Sequence, residues 1–376
     1  MAANSESVVY DENTVIGNRE LMERLDRDIR AGQLSHAYIL DGRQGSGRHT
    51  IARHICAAIA CENRPGRVVS YVEDADQMGF FDFDEPPPPR EIPADAPLPC
   101  WTCPACRKVL EEKCPDIHLI GRDGKASIGV DAVRFLRQDV LIPPNDLDTK
   151  IYIIEDAECM TAQAQNALLL TLEEPPSYVL FLLLCNGAES LLETIRSRAP
   201  VLHTECIDES LMRHHLLKTS SAAARLQERT PDEFEAVLLS ANGCIGQAIT
   251  LLDAKARKPI LKQRDITTAF LDVCLSRRPS DVLSAISQFG TKREEVLAAL
   301  RALQLAIRDL LLLKKSETVR LLFFVDREDT LNLSDRFSMQ ALLTLQNATE
   351  QAIAGLERNG NVRITLTRMC MSASIL

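Results

Sequence analysis

Short apolar runs constrain the fold of this 376-residue chain more than any other feature. Such runs occur at Ile151–Ile154, Val179–Leu184 and Val201–Leu202, and another at His36–Leu40 precedes a cluster of glycines. Apolar runs without polar interruption are typical of central strands in parallel sheets, because those strands are buried on both faces. The runs therefore predict an α/β domain with a parallel sheet.

Helical patterns lie around these runs. Asn18–Arg30 carries apolar side chains at helical spacing, and Thr161–Leu172 predicts a second helix that Thr161 can cap. Pro175 and Pro176 end the second helix, because proline lacks the N–H group that a helix needs. We expect this first domain to end near residue 205.

The rest of the chain has helical patterns only. Residues 206–258 predict short helices interrupted at Asn242 and Gly243, and residues 259–376 predict longer ones. The longer pattern contains one apolar stripe, formed by Val296, Leu300, Leu303, Ile307, Leu310 and Leu311. We therefore expect three domains, at 1–205, 206–258 and 259–376.

One acidic segment interrupts the first domain, within an insertion at 62–99. Residues 72–95 contain eight acidic residues, the single base Arg90 and the run Pro86–Pro89, which is typical of a disordered or extended loop. The segment could attract a basic partner, although a solvated loop without a specific role is the better interpretation. The net charge of -10 argues against a basic coat over the whole protein, so any nucleic-acid contact must be local.

Cysteine content and hydropathy indicate the compartment. Twelve cysteines in 376 residues fall well below the content of disulfide-rich secreted domains. The first residues lack the basic and apolar regions of a signal peptide, and the longest apolar run, Val179–Cys185, is too short to span a bilayer. We expect a soluble cytoplasmic protein without membrane contact.

A glycine-rich segment follows the run at His36–Leu40 and precedes a helical pattern. Residues 42–50 have the sequence GRQGSGRHT, close to the phosphate-binding pattern G-x-x-x-x-G-K-[ST]. Such a loop offers backbone N–H groups and a lysine to the phosphates, and a hydroxyl to Mg²⁺. The candidate nucleotide-binding residues here are Gly42, Gly45, Gly47, Arg48, His49 and Thr50.

Two substitutions weaken this loop as an ATP site. Arg48 stands at the lysine position, where a larger, planar guanidinium cannot simply replace a compact ammonium. His49 stands at the hydroxyl position, and a neutral imidazole is a poor ligand for Mg²⁺, which prefers oxygen. We expect weak or absent ATP hydrolysis, and the sequence leaves ATP binding open.

An acidic pair, Glu155 and Asp156, follows the run Ile151–Ile154. A hydrolytic site of this kind has aspartate first and glutamate second, so the reversed order displaces both carboxylates by a methylene. Alone, such a pair is more often a solvated strand end than a catalytic device. Together with the altered loop, it favours a relic nucleotide site.

Three cysteines at C-x2-C-x2-C spacing predict a metal site. Cys100, Cys103 and Cys106 stand among prolines and polar residues that offer little apolar core, and thiolates at this spacing suit tetrahedral Zn²⁺. The fourth ligand is open between Cys114, which the spacing favours, and Cys61. Four thiolates close the coordination shell, so we expect structural rather than catalytic zinc.

Several phrases together resemble one protein family. They are SHAYILDGRQGSGRHT at 35–50, the cysteine cluster, IGVDAVRFL at 128–136, KIYIIEDAECMTAQAQNALLLTLEEPP at 150–176 and TIRSRAP at 194–200. They resemble the bacterial AAA+ clamp-loader subunits of DNA polymerase III. The altered loop resembles the non-motor delta-prime type more than the tau/gamma motors. The resemblance covers most of the chain and is densest before residue 205.

The resemblance implies a RecA-like AAA+ domain, a small helical lid domain and an all-α collar domain that packs in a ring of five. It also implies the zinc ligands. In this family the first ligand ends the helix after the phosphate loop, and the C-x2-C-x2-C run supplies the others. The matching residues are Cys61, Cys100, Cys103 and Cys106.

The family's S-R-C motif is matched by Ser197, Arg198 and Ala199, with alanine in place of cysteine. The resemblance implies that Arg198 acts as an arginine finger in a neighbouring subunit's ATP site, where a cation stabilises developing phosphate charge. Without the resemblance, a surface arginine would be the better interpretation. Gln247 stands where motor subunits tend to carry a nucleotide-sensing arginine, which also fits a subunit that does not turn over ATP.

The leading hypothesis is therefore a non-motor scaffold that works with tau/gamma and delta subunits. Through the complex it would act on the sliding clamp and on primer–template DNA. One alternative is an active tau/gamma-like ATPase in which Arg48 and the shifted acidic pair still function. A less favoured alternative is a zinc-ribbon DNA-binding protein unrelated to clamp loaders.

Overall fold

The computed structural model describes residues 15–65, 92–276, 279–316 and 319–372. Of the acidic segment at 72–95, only residues 92–95 fall within this described part, so the expectation for the rest lies outside it. The chain divides into two compact units, one ending at Ile207 and one beginning at Asp208. The further division near residue 258 stays a prediction.

A five-stranded sheet forms the centre of the first unit. Its strands are β1 (Ala37–Asp41), β2 (Ile117–Ile120), β3 (Lys150–Ile154), β4 (Val179–Cys185) and β5 (Val201–His203). They pair in the order β2-β3-β4-β1-β5, and all neighbours are parallel. The carboxyl ends of the strands therefore lie along one edge. The predicted α/β fold with a parallel sheet is confirmed.

Helices cover both faces of this sheet. Those described in the first unit are α1 (Arg19–Arg30), α2 (Arg48–Ala60), α3 (Pro104–Leu110), α4 (Val130–Asp139), α5 (Ala162–Glu173) and α6 (Glu193–Arg196). The predicted helices correspond to α1 and α5. The Thr161 hydroxyl accepts a hydrogen bond from the N–H of Ala164 at 3.2 Å and caps α5, as predicted.

Burial on both faces explains why the central strands read as continuous apolar runs. Leu40 and Leu182 pack into one core with α2, whereas Ile39 and Leu183 pack into a second core on the opposite face. The edge strand β2 was missed from the sequence. Its residues are exposed or only partly buried, so its sequence lacks the long apolar run of a central strand.

All regular secondary-structure elements in the described part of the second unit are helices, which confirms the predicted helical carboxy-terminal region. Its helices are α7 (Glu209–Thr219), α8 (Ser221–Arg229), α9 (Pro231–Ala241), α10 (Ile245–Leu252), α11 (Ala254–Ser276), α12 (Pro279–Ser287), α13 (Arg293–Leu313), α14 (Arg327–Arg336), α15 (Met339–Glu357) and α16 (Val362–Ser372). The stripe on α13 is buried except for Leu311, which is partly buried and packs against the same core. None of the described helices is long and apolar enough to cross a membrane.

Candidate functional site

The glycine-rich loop joins β1 to α2 at the carboxyl edge of the sheet. Gly45 and Gly47 have φ angles of 81° and 96°, in the left-handed region that glycine enters without a steric penalty. Arg48 begins α2, so the loop leads directly into the positive end of a helix dipole. The chain therefore has the strand, loop and helix arrangement that a phosphate site requires.

Gly42 lets the base of this loop approach the segment that follows β5. A Cβ atom at Gly42 would lie only 1.8 Å from Oγ1 of Thr204, so a larger residue would displace the chain. The hydroxyl oxygens of Ser46 and Thr204 lie 2.7 Å apart and form a hydrogen bond across the contact. Thr204 therefore anchors the loop, a role that no pattern in the sequence indicated.

Arg48 is buried, with 5% of its surface exposed. Among the described residues, Nη1 of its guanidinium has no hydrogen-bond partner. A buried N–H group without an acceptor costs free energy, so this nitrogen does not stabilise the fold. Within the described part of the chain, no ion pair joins Arg48 to the acidic pair that follows β3. Thr50, in the first turn of α2, is partly buried.

Two other side chains of the chain contact those two carboxylates. His49 Nδ1 lies 3.0 Å from Oε1 of Glu155, and Arg122 Nη2 lies 2.8 Å from Oδ2 of Asp156. Although β4 separates β3 from β1, parallel pairing brings the loop and the acidic pair to the same edge of the sheet. The residue at the hydroxyl position of the loop thus contacts the first carboxylate of the acidic pair.

Four cysteines come together where α2 ends and α3 begins. The Sγ atoms of Cys61, Cys100, Cys103 and Cys106 all lie within 4.8 Å of one another. Cys61 directly follows α2, Cys103 caps the amino end of α3, and Pro104 opens that helix. Zn–S bonds of about 2.3 Å in a tetrahedral site would separate the sulfurs by about 3.8 Å. A small movement of the four sulfurs toward one another would give this spacing.

Hydrogen bonds within this cluster and burial shift the thiol pKa values in both directions, lowering those of Cys61 and Cys100 and raising those of Cys103 and Cys106. The main-chain N–H of Cys103 donates to Sγ of Cys100 at 3.4 Å, and that of Cys106 donates to Sγ of Cys103 at 3.4 Å. Hydrogen bonding between Cys61 and Cys106 lowers the pKa of Cys61 to about 5 and raises the pKa of Cys106. The four cysteines can hold a metal ion because their Sγ atoms lie close together and thiol sulfur is a metal ligand.

Cys114, the alternative fourth ligand, lies outside this group. It lines a separate cavity of about 250 Å³ together with Cys56 and Val109. The structure therefore brings Cys61, and not Cys114, to the C-x2-C-x2-C run.

Known proteins resemble this chain in sequence. A family model described as DNA polymerase III, delta subunit, matches residues 91–207. DNA polymerase III subunit tau of Salmonella typhimurium is 26% identical over 242 residues, which cover 64% of this chain and 32% of the relative. Subunit tau of Bacillus subtilis is 25% identical over 343 residues, which cover 87% and 55%. The chain is therefore similar in sequence to subunits of DNA polymerase III.

The chain spans about a third of the length of the Salmonella relative. Subunit gamma of Buchnera aphidicola is 26% identical to it over 305 residues, which cover 75% of this chain and 73% of the relative. Among solved structures, a gamma subunit-related protein of Thermotoga maritima is 16% identical with a TM-score of 0.37, covering 93% of this chain and 99% of that one. The clamp loader delta protein of Bacillus subtilis is 10% identical with a TM-score of 0.33, covering 94% and 99%.

Arg198 lies just after α6, and other residues of the same chain hold its guanidinium. Nη2 donates to Oε1 of Glu173 at 2.6 Å, and Nη1 donates to the carbonyl of Thr194 at 2.9 Å and to Oγ of Ser197 at 3.4 Å. The Arg198 side chain is 34% exposed, so the guanidinium lies at the surface of the unit. Ala199, at the family's cysteine position, is buried and therefore serves packing.

Two residues that pair with predicted site residues were missed from the sequence. Glu173 belongs to the phrase TLEEPP, but its partner Arg198 stands 25 residues later. Arg122 lies in a loop after β2, a strand that the sequence did not predict. The remaining position, Gln247, is exposed on α10.

Proposed function

We propose that this chain is a delta-prime-like, non-motor subunit of the DNA polymerase III clamp loader. The observation that carries the proposal is the contact between His49 and Glu155, at 3.0 Å. In a hydrolytic loop these two positions would present a hydroxyl and a carboxylate to Mg²⁺. Here an imidazole stands at the hydroxyl position and contacts the carboxylate, so the hydroxyl oxygen that Mg²⁺ prefers is replaced by a nitrogen and the carboxylate is already paired.

The loop geometry supports a structural role without ATP turnover. Arg48 is buried where a working loop has a lysine that reaches the phosphates, and the loop is anchored by the hydrogen bond between Ser46 and Thr204. We expect the isolated chain to hydrolyse no ATP.

The proposed contribution of this subunit is Arg198, acting as an arginine finger in the ATP site of a neighbouring motor subunit. The tau/gamma and delta subunits are the proposed partners, and the complex would load the sliding clamp on primer–template DNA in the cytoplasm. A partly exposed guanidinium that follows the motif residue Ser197 supports this assignment. The family arrangement of AAA+, lid and collar domains is part of the proposal.

The proposed cofactor is one structural Zn²⁺, held by Cys61, Cys100, Cys103 and Cys106. Four thiolates suit the soft, tetrahedral preference of Zn²⁺ and leave no position for a substrate or water. The ion would tie the end of α2 to the start of α3. It would not take part in nucleotide chemistry.

The second candidate function is a tau/gamma-like ATPase, which the named relatives favour because they are tau and gamma subunits at 25–26% identity. Magnesium-dependent ATP turnover by the purified chain that disappears in Arg48→Ala would establish it and refute the non-motor proposal.

A zinc-ribbon DNA-binding protein is the third candidate. It predicts DNA affinity of the isolated chain and no co-purification with tau/gamma and delta.

The finger assignment is tested in the reconstituted clamp loader. We expect Arg198→Ala to leave the complex assembled and to slow its DNA-stimulated ATP hydrolysis, because an arginine finger contributes about 10³-fold or more at the site that it serves. Arg196→Ala is the matched control, since Arg196 is exposed two residues earlier. An unchanged rate in Arg198→Ala, or an equal loss in both variants, would remove the assignment.

A further inference from the structure

The guanidinium of Arg198 is oriented by two acceptors on two different helices. Oε1 of Glu173, the last residue of α5, accepts from Nη2 at 2.6 Å. The carbonyl of Thr194, in α6, accepts from Nη1 at 2.9 Å. Because the guanidinium is planar, two contacts on its terminal nitrogens fix the plane and direction of the whole group.

The edge of the guanidinium that carries Nε remains available. Among the described residues, none accepts a hydrogen bond from Nε of Arg198, whereas both Nη atoms have acceptors within the chain. A guanidinium can bind an oxyanion through one edge while its other nitrogens stay bonded. The contacts to Glu173 and Thr194 are therefore compatible with a phosphate ligand and need not break for one to bind.

The pair of Arg198 and Glu173 contributes little to the stability of the fold. Their side chains are 34% and 44% exposed, and solvent screens a pair of this kind. What the pair does provide is orientation, because the backbone of Glu173 is held in the last turn of α5, which Pro175 and Pro176 end. A fixed cation avoids the entropy loss that a free arginine side chain incurs on binding phosphate.

We propose that Glu173 is a positioning residue that holds Arg198 in the orientation required at the neighbouring ATP site. The inference rests on the proposed finger role of Arg198 and extends it by one residue. Glu173 touches neither nucleotide nor metal and acts only through the guanidinium. Its carboxylate charge is the functional property, because that charge makes the hydrogen bond short and directional.

The test uses the reconstituted clamp loader with Glu173→Gln, and with Glu174→Gln as the matched control. Glu174 is the adjacent exposed carboxylate, and no ion pair involves it among the described residues. We expect Glu173→Gln to lower the DNA-stimulated kcat about three- to tenfold with little change in KM for ATP, because misorientation weakens transition-state contacts. We expect Glu174→Gln to match the wild type and Glu173→Asp to recover part of the rate.

A double variant separates positioning from a general structural effect. If Glu173 acts through Arg198, the variant carrying Arg198→Ala and Glu173→Gln has the same rate as Arg198→Ala alone. Additive losses would overturn the inference. An unchanged rate in Glu173→Gln would also overturn it, and a faster rate would show that Glu173 restrains the finger instead.

The outcomes distinguish this inference from the proposed function. If Arg198→Ala slows hydrolysis but Glu173→Gln does not, only the role of Glu173 is wrong. If Arg198→Ala leaves the rate unchanged, the finger role fails and the role of Glu173 fails with it.

Discussion

Asp116 is a buried carboxylate whose charge is satisfied by main-chain groups. It is 2% exposed and accepts hydrogen bonds from the N–H groups of Asn145, Asp146 and Leu147 at 2.7–2.8 Å. The residue stands just before β2, and its three bonds hold the loop that leads toward β3. A carboxylate suits this place because it only accepts hydrogen bonds.

We expect Asp116→Ala to lower the free energy of unfolding by about 2–4 kcal/mol, because three N–H groups lose their acceptor in a buried place. Asp146→Ala is the control. Its side chain forms a partly exposed pair with Lys108 at 2.7 Å, and we expect that variant to lose less than about 1 kcal/mol. Urea unfolding of both variants measures the difference, and equal losses would contradict the account of Asp116.

His54 makes the stability of the first unit depend on pH. Its ring packs edge-on against Trp101 with the ring centroids 5.8 Å apart, and burial lowers the pKa of His54 to about 4. In the unfolded chain the pKa of histidine is about 6.5. The folded protein therefore favours the neutral ring, and this contribution to stability is present above pH 6.5 and is lost as the pH falls toward 4.

We expect His54→Gln to remove that part of the pH dependence. Between pH 7 and pH 5 the wild type should lose about 1–2 kcal/mol more of its unfolding free energy than the variant. Urea unfolding at the two pH values gives both slopes. Identical slopes would show that His54 titrates alike in the folded and unfolded chains.

At the scale of secondary-structure elements, the four cysteines join the end of α2 to the start of α3. Cys61 and Cys100 are separated by the acidic segment, so a metal at this place closes the chain around that insertion. A cross-link between distant residues stabilises a fold mainly by restricting the unfolded chain.

Cys61→Ser and Cys114→Ser separate the two candidates for the fourth metal ligand. We expect purified Cys61→Ser to lose bound zinc, and Cys114→Ser to keep one zinc per chain because its thiol lies outside the cluster. A chelator should lower the Tm of the wild type and of Cys114→Ser, and should leave Cys61→Ser unchanged. Zinc loss confined to Cys114→Ser would reverse the assignment.

Central elements were predictable because burial on two faces leaves a strong pattern. The central strands β1, β3 and β4 correspond to apolar runs, as does the short strand β5 at one edge of the sheet, and α5 has both a cap at Thr161 and terminating prolines. The edge strand β2 was not predictable on the same basis. It is partly exposed, and its pairing with β3 depends on residues elsewhere in the chain.

For the whole molecule, net charge says little about function. The acidic segment at 72–95 carries -7 of the net charge of -10, so the remaining residues are close to neutral. A local basic contact with DNA is therefore compatible with an acidic chain.

The two compact units meet in sequence at Ile207 and Asp208, whereas the predicted boundary was 205.

The sequence by itself determined the parallel α/β fold of the first unit, the glycine loop with its two altered positions and three of the four clustered cysteines. These features depend on local spacing and on apolar periodicity, which a linear chain displays directly. Only the tertiary structure decided the contacts of His49 with Glu155 and of Arg198 with Glu173. It also placed Cys61 beside the cysteine run, which the sequence indicated only through a family resemblance. Each of these joins residues that are distant along the chain, and their proximity is set by the packing of helices on the sheet.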